Sequence, residues 1–317
     1  MFKKRNKLSK LWLKYTDKPA YTTYKWDLAN YNDVQQTNFL LGSKKLNSID
    51  KIKAVADNTG KLNLMHSGNA GDIIYALPSI KKIYEITGVP INLYLKLNQL
   101  SKIEAFRSHP LGNVMLNQKM AEMLFPLIRS QEYIAGVEVY TNQVIDIDLD
   151  YFRSGFIPMN TGNIARWCGY ITGVSPDLWK KWLNVQADQS YSESIVIARS
   201  GRYHNETIDY SFINQYNNLK FIGVKSEYDD IKRCLPKIEW IEIENFMQMA
   251  QTIAGCKFFI GNQSFPYAIA EALKVPRILE VAFDVINVVP EGENGHDFFL
   301  QDHFEWLVKS LNGSNVN

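Results

Sequence analysis

Short apolar runs alternate with amphipathic stretches along most of the chain, and the regular pattern begins at Lys61. Short apolar runs bounded by turn residues predict buried strands, and apolar positions three and four residues apart predict helices. A strand followed by a helix, repeated, is typical of a parallel sheet with crossover helices. Between residues 61 and 175 the pattern predicts strands at 62–65, 91–95, 133–140 and 144–149 and helices at 73–86, 121–129 and 163–171.

A second series of the same kind follows a polar, tryptophan-rich stretch at 174–192, which we interpret as the interdomain linker. The 317 residues are enough for two domains. We therefore expect a first α/β domain at 61–175 and a second at 190–317. Residues 1–60 are polar, aromatic-rich and weakly periodic, and we expect an extension packed on the first domain. The second series predicts strands at 194–198, 220–224, 240–243, 257–260 and 277–281 and helices at 227–234, 246–254 and 266–273.

The first motif is a loop of small residues at 67–71, between a predicted strand and a predicted helix. Gly68 and Gly71 permit a tight turn and the close approach of a ligand. Asp72 falls where the helix begins, and the unpaired N–H groups there stabilise an anion. Open α/β sheets bind ligands at the carboxyl ends of their strands. A plain turn with Asp72 as the helix cap accounts for the same residues and stays open.

The second motif is the turn at 261–264, which leads into a predicted helix with Pro266 near its first position. Free N–H groups at Ser264 and its neighbours would face an anion, and a diphosphate is the natural occupant. An ordinary strand–helix turn capped by Ser264 is the alternative.

Two arginines, Arg199 and Arg202, follow the first predicted strand of the second domain. They could neutralise a leaving diphosphate, although a solvated basic loop is an equal alternative. Gly223 ends the next predicted strand and could let a nucleotide base approach the backbone.

Together the two motifs resemble the heptosyltransferase-like glycosyltransferases, a GT-B family. The first motif is similar to that family's Gly-Asp followed by Leu-Pro, here Gly71-Asp72 and Leu77-Pro78. The second is similar to its Ile-Gly-x-x-Ser-x-Pro helix start with a later Leu-x-x-Pro. The order and separation of the motifs also suit the family, and the resemblance covers residues 61–281. The second motif consists here of Ile260, Gly261, Ser264, Pro266, Leu273 and Pro276.

The resemblance implies two Rossmann-like domains that face each other across a cleft. It also implies sugar transfer from a nucleoside-diphosphate donor, which is a substrate rather than a cofactor. Asp72 would be the general base, the acceptor would enter from the first domain, and direct displacement would invert the anomeric configuration. Donor-side residues would be Arg199, Arg202, Gly223, Gly261, Asn262, Gln263, Ser264 and Glu271, and the acceptor-side loop would be His66, Ser67, Gly68, Asn69 and Gly71.

Three positions depart from the family pattern. Gln263, Phe265 and Ala268 stand where the family usually has Asp, Gly and His. The resemblance therefore does not imply an ADP-heptose donor or a lipopolysaccharide acceptor. The acceptor class stays open among a glycan, a lipid-linked glycan and a nucleic acid. A DNA-modifying transferase acting on a hydroxylated base and a non-catalytic nucleotide-binding protein on the same fold are the alternative functions.

An acidic run, Asp146, Asp148 and Asp150, has the period of a strand, which would put all three carboxylates on one face. Paired aspartates bind a metal–nucleotide complex in another class of glycosyltransferase. We favour a solvated strand end or an edge that contacts the acceptor, and we expect no metal site. The three cysteines form no CxxC pair, which fits a reducing cytoplasm and no disulfide framework.

Charge changes the picture only at the N-terminus. The net charge is +2, but residues 1–20 hold seven basic side chains against the single acid Asp17. Apolar side chains occur among these basic residues at helical spacing. No segment of the sequence is long and apolar enough to be a membrane span. We expect a cytoplasmic protein, and its basic N-terminus could contact an anionic membrane surface or nucleic acid. A solvated, frayed terminus is the alternative.

Overall fold

The computed structural model describes residues 2–40, 45–100, 114–153 and 157–313, and these residues form two α/β domains. In the first half, the helices are α1 (Lys7–Thr16), α2 (Lys18–Leu40), α3 (Ile49–Thr59), α4 (Ala70–Thr87), α5 (Gln118–Arg129) and α6 (Ile164–Thr172), and the strands are β1 (Leu62–His66), β2 (Ile91–Leu95), β3 (Gly136–Val139) and β4 (Ile147–Asp148). In the second half, the helices are α7 (Lys225–Cys234), α8 (Phe246–Gly255), α9 (Phe265–Leu273) and α10 (Gln301–Leu311), and the strands are β5 (Ile195–Ala198), β6 (Leu219–Phe221), β7 (Glu239–Trp240), β8 (Phe258–Asn262), β9 (Arg277–Glu280) and β10 (Gly295–Phe298).

Each domain contains one parallel sheet in the described part of the chain. The first sheet has the strand order β3-β2-β1-β4, and the second has the order β10-β9-β8-β5-β6-β7. This confirms the predicted α/β class with two Rossmann-like domains. In both sheets the chain runs outward from the first strand and then returns to that strand's other side. The strand order therefore reverses between β1 and β4 and again between β5 and β8, and such reversals are where open α/β sheets bind ligands.

The two domains contact each other through helices, with α4 packed on α9 and α5 packed on α8. The main core cluster is continuous across this contact, since it includes Ile74 and Leu77 of α4 together with Ile269 and Ala270 of α9. A second cluster covers the other face of the second sheet.

The stretch at 174–192 is joined to helices of both domains at Trp182 and Leu183. Trp182 and Leu183 are buried, and both donate their N–H groups to the carbonyl of Ala272 at 3.0 and 3.2 Å. The indole of Trp182 also donates to the Ile74 carbonyl at 3.1 Å. Pro78 of α4 has no N–H for that carbonyl, so the tryptophan satisfies an acceptor that the proline leaves free. The connecting segment is thus fixed to both α4 and α9.

Several predicted strands are shorter than the apolar runs suggested. The strand predicted at 133–140 is reduced to β3, because Tyr133 is buried and donates its hydroxyl to the Trp182 carbonyl at 2.6 Å. The strands predicted at 144–149 and 240–243 are reduced to β4 and β7. After β4 the chain turns into a short 3-10 helix, Leu149–Arg153. The pattern also missed β10 and α10, although both lie within the predicted second domain.

Residues 1–60 are helical over most of their described length. Ile52 and Ala56 of α3 are buried, and α3 packs against α4 and β1. The helices α1 and α2 pack on each other, with Leu13 and Tyr24 buried. The weak periodicity has a structural reason, because α2 carries its apolar residues around the whole helix instead of along one stripe. The domain limits themselves stay a prediction.

Candidate active site at two facing helix N-termini

The loops that carry the predicted site residues follow the strands where each sheet reverses its order. His66 ends β1 and the small-residue loop follows it, while Asn262 ends β8. The helices α4 and α9 start directly after these loops. A methyl group placed on Gly71 of α4 would lie only 3.8 Å from the Cα of Phe265 at the start of α9. The carboxyl ends of the two central strands therefore face each other across the domain contact.

Asp72 lies in the first turn of α4. Its Oδ2 accepts a hydrogen bond from the Asn69 backbone N–H at 3.1 Å and pairs with the Arg153 guanidinium. The side chains of Asp72 and Arg153 are 19% and 15% exposed, so the pair is partly open to solvent. Within the described residues Oδ1 of Asp72 has no partner. One carboxylate oxygen thus orients the group and the other is available to accept a proton.

Arg153 is the site residue that the sequence did not indicate. It lies at the end of the 3-10 helix after β4, and β4 is the strand next to β1. Besides Asp72, its guanidinium contacts Asp150 Oδ1 at 3.4 Å, and the same oxygen accepts the Ser67 N–H at 3.0 Å. Asp150 and Arg153 therefore tie the loop after β1 to the segment after β4. The sequence pattern does not indicate that residues 72 and 153 are in contact. The strand order of the sheet brings them together.

Gly68 is enclosed by charged and aromatic groups. A side chain there would collide with Arg153 at 2.5 Å, with His66 at 2.6 Å and with Asp72 at 2.7 Å. His66 is fully buried, and its Nδ1 accepts the Gly68 N–H at 2.9 Å. Burial lowers the pKa of His66 from 6.5 to about 4, with the Arg153 charge acting in the same direction and Asp150 opposing it. His66 is therefore a neutral group that shapes the loop.

The loop after β5 is held by Asn262, which is fully buried at the end of β8. Its Oδ1 accepts the Ser200 N–H at 3.0 Å, and its Nδ2 donates to the carbonyls of Ser200 and Arg202 at 2.9 and 2.7 Å. The Asn262 side chain is therefore committed to shaping the arginine loop. Gly261 is required for close packing, since a side chain there would meet the Ala198 carbonyl at 2.9 Å.

Ser264 is the N-cap of α9, but its side chain makes no capping hydrogen bond. Its Oγ is buried without a partner among the described residues, as is Oδ1 of Asn69 in front of α4. The first N–H groups of a helix have no intrahelical partner, and they carry the positive end of the helix dipole. Both facing helix starts therefore combine unused backbone donors with an unused polar side-chain atom.

Of the two predicted arginines, Arg199 is internally neutralised. Its Nε and NH2 bond both carboxylate oxygens of the buried Glu280 at 2.8 and 2.9 Å, and its guanidinium lies 4.7 Å from the Tyr210 ring. This arrangement commits the Nε and NH2 groups of Arg199 to Glu280, and the contact of Arg199 with a diphosphate stays a prediction. Arg202 forms no ion pair within the described ranges and lies over the neighbouring Tyr203 ring at 5.3 Å. Arg202 is therefore the better candidate for an anion.

Two residues predicted on the donor side also have structural partners. Gln263 donates to Asn287 Oδ1 at 2.7 Å. Glu271 is buried near the end of α9, where it pairs with Arg277 at 2.5 Å and with Lys274 at 2.5 Å. Both carboxylate oxygens of Glu271 therefore accept from these two cations, and its contact with a donor stays a prediction.

Gly223 lies beside a carboxylate that the sequence reasoning did not single out. A side chain on Gly223 would meet Oε2 of Glu227 at 3.1 Å, in addition to the Phe221 ring. The Glu227 carboxylate accepts the Gly201 N–H at 3.2 Å and the Val224 N–H at 3.4 Å. Burial raises the pKa of Glu227. Glu227 thus joins the arginine loop to the turn at Gly223.

The acidic run does not form one strand face, because Asp150 already belongs to the 3-10 helix. Asp146 Oδ2 accepts the Asn63 N–H at 2.8 Å, and Asp148 Oδ1 accepts the Asp150 N–H at 3.0 Å. Asp146 and Asp148 line a cavity of about 270 Å³ together with Tyr140, Tyr151 and Lys45. Within the described part of the chain, no cluster of three or more His, Cys, Asp or Glu side chains is arranged to hold a metal ion.

No protein-family model matches the chain, and no curated protein matches its sequence. Among solved structures, the chain is similar to a glycosyl transferase of family 9 from Veillonella parvula, with a TM-score of 0.49 and 10% identity over 81% of this chain and 90% of that one. It is also similar to the E. coli heptosyltransferase WaaC with ADP-2-deoxy-2-fluoro heptose, with a TM-score of 0.45 and 12% identity over 79% and 99% of the two chains. For the E. coli ADP-heptose lps heptosyltransferase II, the TM-score is 0.46 and the identity 10% over 80% and 98%. The solved structures to which this chain is similar thus include heptosyltransferases, the family that its two motifs resemble.

Proposed function

We propose that the protein is a glycosyltransferase that moves a sugar from a nucleoside-diphosphate donor to an acceptor hydroxyl. The observation that carries the proposal is the pair of facing helix starts, with a half-free carboxylate at α4 and unused donors at α9. An anion bound at α9 would lie opposite the Asp72 carboxylate. That is the arrangement needed to activate a hydroxyl on one side and to stabilise a diphosphate leaving group on the other.

On the donor side, the diphosphate would bind the first N–H groups of α9 and the Ser264 hydroxyl. Arg202 would add a charge-assisted contact. Glu227 has a half-buried carboxylate beside Gly223, and a carboxylate near a glycine turn is a suitable acceptor for ribose hydroxyls. The nucleoside would then lie between the turns at Gly201 and Gly223.

On the acceptor side, the cavity next to β4 is connected to the catalytic loop by two hydrogen bonds. Asp148 accepts from the Asp150 N–H, and Asp150 accepts from the Ser67 N–H. The cavity has a volume of about 270 Å³ and carries carboxylates and tyrosine rings, which suit a ligand rich in hydroxyl groups. We propose that it holds part of the acceptor.

In the transfer step, Asp72 takes the proton of the acceptor hydroxyl as the hydroxyl oxygen attacks the anomeric carbon. The bond from that carbon to the diphosphate oxygen breaks, and the electron pair leaves with the nucleoside diphosphate. The α9 N–H groups and Arg202 stabilise the negative charge that develops there. A single displacement of this kind inverts the anomeric configuration, and it requires no metal because protein donors meet the leaving charge. The three free cysteines favour a reducing, cytoplasmic setting.

A thermal-shift screen against a panel of nucleoside diphosphates tests the donor half of the proposal, since a bound ligand raises apparent stability by mass action. At least one nucleoside diphosphate should raise the unfolding midpoint, and Arg202→Ala should reduce that rise. Arg233→Ala serves as the matched control, because this exposed arginine lies on α7 of the same domain.

The chemical half is tested by incubating the matching nucleotide sugar with glycans, lipid-linked glycans and DNA containing hydroxylated bases. Release of the nucleoside diphosphate that depends on one of these acceptors would support sugar transfer and would identify the acceptor class. Nucleotide binding with neither transfer nor hydrolysis would instead indicate a non-catalytic nucleotide-binding protein. The absence of any nucleoside-diphosphate binding would refute the proposal.

A further inference from the structure

The helix α1 turns a row of large apolar side chains toward solvent. Leu8, Leu11, Trp12 and Tyr15 are 80%, 54%, 65% and 77% exposed, although they are spaced three and four residues apart, as the buried face of a helix would be. Single exposed apolar residues are ordinary, but a contiguous apolar face left in water marks a surface that another body covers.

This face has a fixed orientation relative to α2. Leu13, on a different side of α1, is buried where α1 packs on α2. The segment before α1 also folds onto α2, with the rings of Phe2 and Tyr24 stacked at 5.6 Å and the Arg5 N–H donated to the Tyr24 hydroxyl at 3.0 Å. The helix α1 is therefore held on α2 both by the segment before it and by Leu13, and the apolar row lies on the side of α1 that faces away from α2.

The positive charge lies directly beside the apolar row. Helical periodicity places Lys7, Lys10 and Lys14 on the arc between the exposed row and the side that holds Leu13. Lys3, Lys4, Arg5 and Lys18 lie at the two ends of the helix. The nearby acid, Asp17, accepts the Ala20 N–H at 3.0 Å and thereby caps the start of α2. One side of the helical pair is consequently apolar at its centre and cationic along its margin.

We propose that α1 docks the protein on an anionic lipid surface. Leu8, Leu11, Trp12 and Tyr15 enter the headgroup region, and the adjacent lysines contact lipid phosphates, as in interfacial amphipathic helices. A second copy of the chain fits the face less well, because pairing two such faces would bring the like charges together. A nucleic acid would use the cations and the aromatic rings but gains little from two exposed leucines. No helix in the described ranges combines the length and apolar content that crossing a bilayer requires.

The test is co-sedimentation of the full chain with vesicles of phosphatidylcholine alone or of phosphatidylcholine mixed with phosphatidylglycerol. The protein should bind the anionic vesicles, and added salt should weaken that binding. Leu8→Ala combined with Trp12→Ala should lower the partition coefficient by roughly tenfold or more, because both side chains leave water only on the membrane. Trp306→Ala, which removes a half-exposed tryptophan from α10, is the matched control and should bind as the wild type does.

Unfolding midpoints of the variants, which are expected to match that of the wild type, show that a loss of binding is not a loss of fold. The proposal would be refuted if the wild type bound neither kind of vesicle. Binding that the Leu8/Trp12 double variant leaves unchanged would also refute it. Tighter binding to DNA or RNA than to anionic vesicles would assign the face to nucleic acid. A concentration-dependent dimer that the same variant abolishes would assign it to a second copy. None of these binding measurements depends on sugar transfer, which is assayed separately with a soluble donor.

Discussion

Replacing Asp72 by asparagine separates a catalytic carboxylate from a helix cap. In the structure, Oδ2 of Asp72 receives the Asn69 N–H and pairs with Arg153, and Oδ1 has no partner among the described residues. An asparagine oxygen can keep both contacts of Oδ2. It cannot take a proton from an acceptor hydroxyl, so the substitution removes the proposed chemistry and leaves the local structure in place.

The magnitudes of the two effects differ enough to be distinguished. The Asp72–Arg153 pair is partly exposed, and Arg153 keeps its contact with Asp150, so losing the charge of Asp72 should cost about 1–2 kcal/mol of unfolding free energy. A positioned general base contributes roughly 10²–10⁴-fold to the rate. Asp72→Ala should slow transfer as much as Asp72→Asn does. It should also destabilise the protein by about 1 kcal/mol more, because it removes the acceptor of the Asn69 N–H at the start of α4.

The assay compares nucleoside-diphosphate release by the wild type and both variants, using any donor and acceptor pair that the wild type turns over. Calorimetry with the nucleoside diphosphate should give equal affinities for all three proteins, because the proposed diphosphate contacts lie at α9. Asp50→Asn is the control, because it removes an exposed carboxylate from the first turn of α3, outside the proposed site. Transfer by Asp72→Asn at a rate close to that of the wild type would leave Asp72 as a cap and the mechanism without its base.

Three further predictions concern the donor, the metal and the pH dependence of stability. Arg202→Ala should weaken nucleoside-diphosphate binding in calorimetry. Arg199→Ala should mainly lower the unfolding midpoint, because Arg199 neutralises the buried Glu280. An equal loss of affinity in both variants would contradict these separate roles of the two arginines. Transfer should persist in EDTA, and its loss with recovery on adding manganese would overturn the metal-independent mechanism. As the pH drops from 6.5 to about 4, His66 takes up a proton in the unfolded state but stays neutral in the folded state. The free energy of unfolding should therefore fall by about 3 kcal/mol over that range. His66→Gln should show a smaller acid loss in urea unfolding, and an identical pH dependence would mean that His66 is not held neutral.

The periodic pattern predicted the fold best where an element is buried along its whole length. The strands β1 and β2 and the helices α8 and α9 came within a few residues of their predicted limits, since their apolar positions report burial directly. The prediction failed where a residue is buried without being paired in a strand, or is paired in a strand without being apolar. Tyr133 is buried by its contact with the linker instead of by a sheet neighbour, so an apolar run extended β3 too far. The strand β10 lies at the sheet edge and reads Gly295-His296-Asp297-Phe298, a sequence with little apolar pattern.

In the candidate site, too, the local sequence features were predictable and the tertiary contacts were not. The loops at 67–71 and 261–264 were predictable because a strand, a small-residue turn and a helix start form one local sequence feature. Their facing arrangement and the pairing of Asp72 with Arg153 depend on which strand lies beside β1, and that order is a property of the whole sheet. Arg199 and Glu271 show the same dependence on tertiary structure. A charged side chain near a glycine turn looks available in the sequence until tertiary structure supplies its partner, here Glu280 and Arg277.

This dependence on partners also decides which charges of the site are available for chemistry. Arg199 pairs with both oxygens of the buried Glu280, and the buried Glu271 pairs with Arg277 and Lys274. An ion pair that gave up one member to a ligand would leave the other, buried charge uncompensated. Asp72 and Arg202 instead keep an oxygen and a guanidinium without full partners in the described structure, and both are partly open to solvent. A transferase needs groups that can change partners during one turnover. The incompletely paired residues at the two helix starts are therefore those on which the reaction should depend, and the completely paired ones are those on which the fold should depend.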